Sequence, residues 1–269
     1  MANIGEVILL LGGLGFRDSL SESVFPLSPL QILFTNAVVA SLPAVGLGLE
    51  PAERGSMRRH PDSFAGGVFS RAVITDMLVY GSVMGVTCLA TFVAMIYGIG
   101  GGQLGTGCNE HAGPNCDAVF QARSAVFVAL ILQNLLLAWE LISMHRSFFA
   151  MRPCAHLARN PLLLGSVLFG IGLLPICLYV PGFNDKVFRH GPLRGEGWGI
   201  ALGAVVVFVL AMEGWKWAAR QGGWPWLTRI SGGLQGLASA PAEGEDEDDG
   251  DEDGMPKAKS ITGDVEKAA

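Results

Sequence analysis

Charge is scarce in this sequence: 16% of its 269 residues are Asp, Glu, Lys or Arg, while 50% are hydrophobic. Soluble domains carry about 25% charged residues, so the deficit argues against an ordinary water-soluble fold. The signatures of soluble catalysis are missing as well. There is no G-x-x-x-x-G-K-S/T loop to cradle the phosphates of ATP, no H-E-x-x-H pair to hold zinc, and no G-x-S-x-G elbow to present a nucleophilic serine. No basic stripe points to a nucleic-acid partner, so none is expected. The start of the chain lacks a basic n-region and an A-x-A site, and no cleavable signal peptide is predicted.

What the sequence has is apolar length. Six stretches stand out: Ala2 to Phe16, Leu30 to Leu49, Ala72 to Ile99, Ala122 to Ser143, Leu162 to Val180 and Trp198 to Ala219. A membrane-crossing helix needs about 20 such residues. The last five stretches qualify, and a core this small has no room to hide them. The first is short, and reads as a helix cut partway along. The expected fold is therefore all-α: a polytopic transmembrane bundle of about six helices, the first truncated, embedded in a lipid bilayer over residues 1–221. Past Trp226 the chain turns to Gly, Ala, Ser and Pro, and between Glu243 and Asp253 it holds nine carboxylates and no base. Too little apolar surface is left there to fold, so residues 222–269 are predicted to be a disordered acidic tail. The formal net charge of −6 belongs to that tail, since bases outnumber acids elsewhere.

Loop charges predict the orientation. Arg54, Arg58, Arg59 and Arg71 fall between the second and third spans, Arg146, Arg152 and Arg159 between the fourth and fifth, and Lys216, Arg220 and Arg229 at or after the end of the sixth. Between Gly100 and Gln121 there is no Lys or Arg at all. The positive-inside rule then places the Arg-rich loops and the C-terminus in the cytoplasm. Lys186, Arg189 and Arg194, between the fifth and sixth spans, run against it. Of the five cysteines, Cys88 and Cys177 sit in apolar runs, whereas Cys108 and Cys116 share a polar, Gly-rich loop. That makes them the plausible disulfide pair, on the side where a disulfide persists. A structural zinc site there would want four ligands, and His111 is the only further good one nearby.

Few polar groups interrupt the spans. Glu6 is the sharpest, because a carboxylate in an apolar helix is expensive and usually faces a polar cavity. Asn3 lies one turn earlier, so the two project from one helical side. Paired oxygens of this kind suit a hard cation; equally, a carboxylate close to the chain end can reach water. Asn36, in the middle of the second span, either completes such a site or hydrogen-bonds between helices. Pro43, further along, loosens the backbone ladder and frees carbonyls for an ion. Asn134, beside Gln133 in the fourth span, carries the same two readings. Glu140 and Glu213 read as interface anchors next to Trp139 and Trp215. Asp76 reads as a first-turn carboxylate that meets a helix dipole.

The run NIGEVILLLGGLGFRDSLSESVFPLSPLQILFTN, followed by LPAVGLGLE, resembles the fifth and sixth transmembrane helices of P-type cation ATPases, in particular the fungal class that exports sodium or potassium. GVFSRAVITDMLVYG, LAWELISMHRSFF and NDKVFRHGP are similar to further segments of that class, and LGTGCNEHAGPNCDAVFQARSAVF to its exoplasmic loop between helices seven and eight. The resemblance extends over roughly residues 2 to 220 and implies that the six segments are helices five to ten of a ten-helix pump. It further implies a cation site that includes Asn3 and Glu6, matching the family's Asn-x-x-Glu, together with Asn36 and, more weakly, Asn134. Relatives often place Thr with Ser or Asp one turn after the Asn36 position; here Val39 and Ala40 stand there.

The family's phosphorylated Asp in D-K-T-G, its T-G-E-S and its T-G-D-G-x-N-D do not occur in this sequence. The implied function is the membrane-embedded cation-transport domain of a sodium or potassium exporting ATPase, in the plasma membrane, without the parts that hydrolyse ATP. The transported ligand would be a monovalent cation, Na⁺ or K⁺. ATP and Mg²⁺ would act only in a complete parent pump, whose N-terminal part is the expected partner, and the chain alone should be inactive. The alternative is a free-standing, non-enzymatic membrane protein that assembles with or regulates such a pump.

Overall fold

The structure is a computed structural model that describes residues 1–49, 71–109, 115–141 and 160–221. The predicted acidic tail, most of the two Arg-rich loops, and His111 and Cys154 lie outside the described residues. Within them the chain is helical: α1 (Ala2–Gly13), α2 (Pro29–Gly48), α3 (Arg71–Val93, continued by a wide turn over Ala94–Ile99), α4 (Asp117–Glu140), α5 (Pro161–Tyr179) and α6 (Gly195–Gln221). The only β pairing among the described residues is an isolated bridge between Arg17 and Ser23. Five of the helices are long and apolar enough to cross a membrane, and α1 is a shorter apolar helix.

Local chemistry sets several of the helix starts. Ser28 caps α2 in a reciprocal box: its Oγ accepts from the Gln31 N–H at 3.3 Å, while Gln31 Oε1 accepts from the Ser28 N–H at 2.8 Å, with Pro29 at the first helical position. Asn160 caps α5 through Leu163 N–H at 3.1 Å, and its Nδ2 donates to the Gly46 carbonyl of α2 at 2.8 Å. The cap of one helix thus fixes the end of another. In α2 the residues Thr35–Ala40 form a π turn, just before Pro43. Proline has no N–H and crowds the carbonyl four residues back, and a wider turn upstream relieves that conflict.

α4 is the axis of the bundle: 83% of its span is buried inside the protein, against 28% for α2 and α6. It begins at Asp117, five residues before the apolar run at Ala122, so Arg123 lies well inside the helix rather than in its first turn. α1 lies against α3 at glycine. A Cβ on Gly5 would meet the Gly81 carbonyl at 3.0 Å and the Gly85 nitrogen at 3.2 Å, and one on Gly85 would meet the Gly5 carbonyl at 2.8 Å. Only the absence of side chains allows that approach.

Three connections meet at one end of the bundle, after α1, after α3 and after α5. Asp18 carries the first: its carboxylate accepts from Leu20 and Glu22 N–H at 2.9 Å each and from Gly107 N–H at 3.0 Å. These donors, Gly107 first, hold its carboxyl below the usual range. Arg123, buried at 2% exposure, donates from Nε to the Phe25 carbonyl at 2.9 Å, from Nη1 to the Cys108 carbonyl at 3.1 Å and from Nη2 to Asn109 Oδ1 at 2.6 Å. Asn109 in turn donates to the Ser23 carbonyl at 2.6 Å. Arg189, one of the bases that runs against the loop-charge rule, donates to the Asn109 carbonyl at 2.6 Å. It is there as a tie between loops.

Cys108 and Cys116 are joined in a disulfide across this end. Alkylation of the unfolded protein without reductant is expected to mark cysteines such as Cys88 and Cys177 and to spare Cys108 and Cys116. Full labelling of the latter pair would refute the bridge.

The opposite end is tied by charge. Lys216 of α6 forms an ion pair with Glu140 of α4, both buried, and approaches Glu213 at 3.9 Å. Glu140 is therefore an interior residue and not an interface anchor. Asp76 accepts from the Trp215 indole N–H at 2.9 Å, which makes it an α3–α6 contact in place of a first-turn carboxylate.

Candidate cation site

Glu6 is the centre of the candidate site. Because Gly5 sinks into Gly81 and Gly85, the next residue is carried against the middle of the Val73–Ile99 span. Glu6 is 4% exposed there, so it does not reach water past the chain end. Asn36 Nδ2, from the π turn of α2, donates to Glu6 Oε2 at 2.7 Å. The turn positions Asn36 through neighbours on both sides. Thr35 Oγ1 donates to the Gln31 carbonyl at 2.9 Å and Ser41 Oγ to the Asn36 carbonyl at 3.0 Å.

The other carboxylate oxygen, Oε1, is buried and has no hydrogen-bond partner among the described residues. A carboxyl group buried beside one neutral amide keeps unused oxygen lone pairs, and in its charged form it would need a counter-charge or several donors. The arrangement is suited to accept a small positive ion.

The other expected site residues are placed differently. Asn3 lies on the exposed side of α1, while Glu6 is buried. Asn134 is buried on α4 at 8% exposure, with Nδ2 unpartnered among the described residues. No hydrogen bond from that amide nitrogen joins it to the Glu6–Asn36 pair. Val39 is buried in the core at 2% exposure, so the turn after Asn36 presents an apolar side chain inward. Ala40 ends the π turn, half-buried.

A second polar group was not legible as such in the sequence. Gln133, wholly buried on α4, has its amide oxygen 3.2 Å from Thr87 Oγ1 and 3.6 Å from Cys88 Sγ, both on α3. Through this amide oxygen Gln133 of α4 is joined to Thr87 and Cys88 of α3. The only sequence signal was the Gln133–Asn134 doublet inside an apolar run.

The comparisons with known proteins bear on what this geometry serves. Residues 24–218 match the family model described as "Cation transporting ATPase, C-terminus". The chain is 38% identical over 229 residues to "Sodium/potassium exporting P-type ATPase 5" of Saccharomyces cerevisiae, which covers 81% of this chain and 21% of that protein. It is likewise 38% identical over 228 residues to "Sodium/potassium exporting P-type ATPase cta3" of Schizosaccharomyces pombe, covering 80% and 22%. A "Calcium-transporting ATPase" of Bacillus subtilis is 27% identical over 212 residues, covering 78% of the chain and 21% of that protein. The chain thus spans about a fifth of the length of the relatives it matches. A helical membrane bundle, a buried carboxylate at mid-span and a family match over most of its length lead to one assignment: this chain belongs to the cation-transporting ATPase family and carries its C-terminal membrane region.

Proposed function

We propose that the chain supplies part of the cation path of a P-type pump that exports a monovalent cation, Na⁺ or K⁺. The observation that carries this reading is the Glu6–Asn36 hydrogen bond between α1 and the π turn of α2. It joins the only carboxylate of α1 to a helix whose backbone is already loosened, and irregular backbone at membrane depth commonly lines an ion site. The names of the fungal relatives support a monovalent ion. Asn134 is proposed as a further ligand from α4, and Asn3 as one that completes its contacts on the open side of α1.

In this reading residues 1–221 are the membrane domain and residues 222–269 an acidic cytoplasmic tail, with the protein in the plasma membrane. ATP and Mg²⁺ act in the complete pump, through an N-terminal part with which the exposed side of α1 would pack. The same assignment makes the Arg-rich loops cytoplasmic and the disulfide end exoplasmic.

The test is made in a complete pump that contains this sequence. Glu6→Gln should raise the Na⁺ or K⁺ concentration for half-maximal phosphorylation by roughly tenfold or more, since a lost ligand worth about 1.4 kcal/mol already gives a factor of ten. An unchanged cation dependence would remove Glu6 from the site.

A further inference from the structure

Among the described residues two carboxylates are buried, Glu6 at 4% exposure and Glu140 at 2%. They differ in what is set beside them. Glu6 receives a neutral amide from Asn36, and its Oε1 stays without a hydrogen-bond partner among the described residues. Glu140 receives the ammonium of Lys216, whose side chain is 3% exposed, and Glu213 Oε1 lies 3.9 Å from the same nitrogen. At one carboxylate the positive charge is part of the chain; at the other the chain supplies none.

A carboxylate taken out of water needs a cation close by, and a lysine ammonium is one of several that meet the need. It carries a single charge, is close to K⁺ in size, and differs from a dissolved ion in being tied to the backbone. A tethered ion gives up no translational freedom when it binds, so it outcompetes a free one of equal charge. Here the tether is also held still. Trp215, the residue before Lys216, donates its indole N–H to Asp76 of α3 at 2.9 Å, which pins that turn of α6. Among the described residues no group of three or more His, Cys, Asp or Glu is placed to hold a metal ion. The two glutamates around Lys216 therefore suit a monovalent occupant, and Glu140 Oε1 keeps lone pairs to spare.

We propose that Glu140 and Glu213 make up a second monovalent-cation site, filled by the chain's own Lys216 ammonium in place of a diffusible ion. A cation from solution meets an occupied site at this end of the bundle, and Lys216 is the residue that excludes it. Among the described residues, one buried carboxylate is thus kept for a mobile ion where there would otherwise be two. That contrast rests on the cation-site reading of Glu6; the filling of the Glu140 site by Lys216 does not.

The experiment uses the full chain in lipid nanodiscs, with thermal unfolding at constant ionic strength as the readout and choline as the bulky reference cation. Lys216→Ala vacates both stem and ammonium, and ethylammonium is the probe that replaces them. Lys216→Met keeps most of the stem and vacates the ammonium alone, which K⁺ can replace. Every gain is counted over that of the wild type under the same ions, which subtracts binding at Glu6. At a concentration tenfold above its dissociation constant, each probe is expected to raise the midpoint of its variant by roughly 3–6 °C over the wild type. Glu140→Leu combined with either substitution should abolish the gain, since no buried carboxylate is then left at the site. Midpoints that ignore both probes, or gains that survive Glu140→Leu, would overturn the inference. Failure of both variants to fold even with their probes present would do the same. A wild type with no response to Na⁺ or K⁺ would count against the reading of Glu6 and leave this one standing.

Discussion

Replacing Arg123 with Leu is expected to disrupt the end of the bundle where the three connections meet, at a cost on the order of 3–5 kcal/mol. The guanidinium satisfies Phe25, Cys108 and Asn109 at once, from three different nitrogens. Hydrogen bonds to a charged group are worth about 1.5–3 kcal/mol each when one partner is removed, and here the acceptors left behind are partly or wholly buried. Leucine fills some of the volume and offers no donor. Lysine keeps the charge, but its single ammonium cannot span the fork, so Arg123→Lys should recover only part of the loss. Thermal unfolding in detergent, followed by size exclusion, measures both. A Leu variant that unfolds at the wild-type temperature would show that the loops hold without the arginine.

The second large effect is expected at the opposite end. Lys216→Met leaves Glu140 in the interior without its cation and should destabilise by about 3–5 kcal/mol, the usual penalty for breaking a buried pair from one side. Glu140→Leu combined with Lys216→Met should be close to neutral, because the desolvation cost of both charges disappears with them. The double-mutant cycle therefore predicts strong coupling. Glu213, at 3.9 Å from the ammonium, is the weaker partner, and Glu213→Gln should change little by comparison. Additive effects in the cycle would contradict the pairing.

The six helices were legible because length and apolarity decide membrane helices almost alone. The predicted ends agree with α2 and α5 to a single residue at each end. The largest difference came at α4, where hydropathy starts the helix at Ala122 and the structure starts it at Asp117. Hydropathy leaves out the stretch from Asp117 to Gln121 because its ends are polar, and it gives no sign that three acceptors meet Arg123. The same blindness applies to Glu140 and Lys216. Each sits near a helix end in the sequence, and only the packing of α6 on α4 shows that they face each other.

In the candidate site, Glu6 and Asn36 were visible as polar residues in apolar runs, and the structure joins them by a hydrogen bond. Thr87 was invisible, since a threonine in a membrane helix usually bonds its own backbone, as this one also does. Its contact with Gln133 depends on which α4 residue lies opposite, and no periodicity in one helix reports that.

The arginine staple also has a bearing on the order in which the protein is assembled. Its three acceptors belong to Phe25, Cys108 and Asn109, all synthesised before Arg123, the farthest of them 98 residues earlier. When α4 leaves the ribosome, the residues whose carbonyls receive its buried charge have already been made, so the guanidinium need not wait for a later segment to supply a partner. Arg189, which ties in the last connection, arrives 80 residues after Asn109 and likewise bonds to a carbonyl made before it. Each late cation closes onto earlier chain, so the bundle can be sealed in the direction in which it is made.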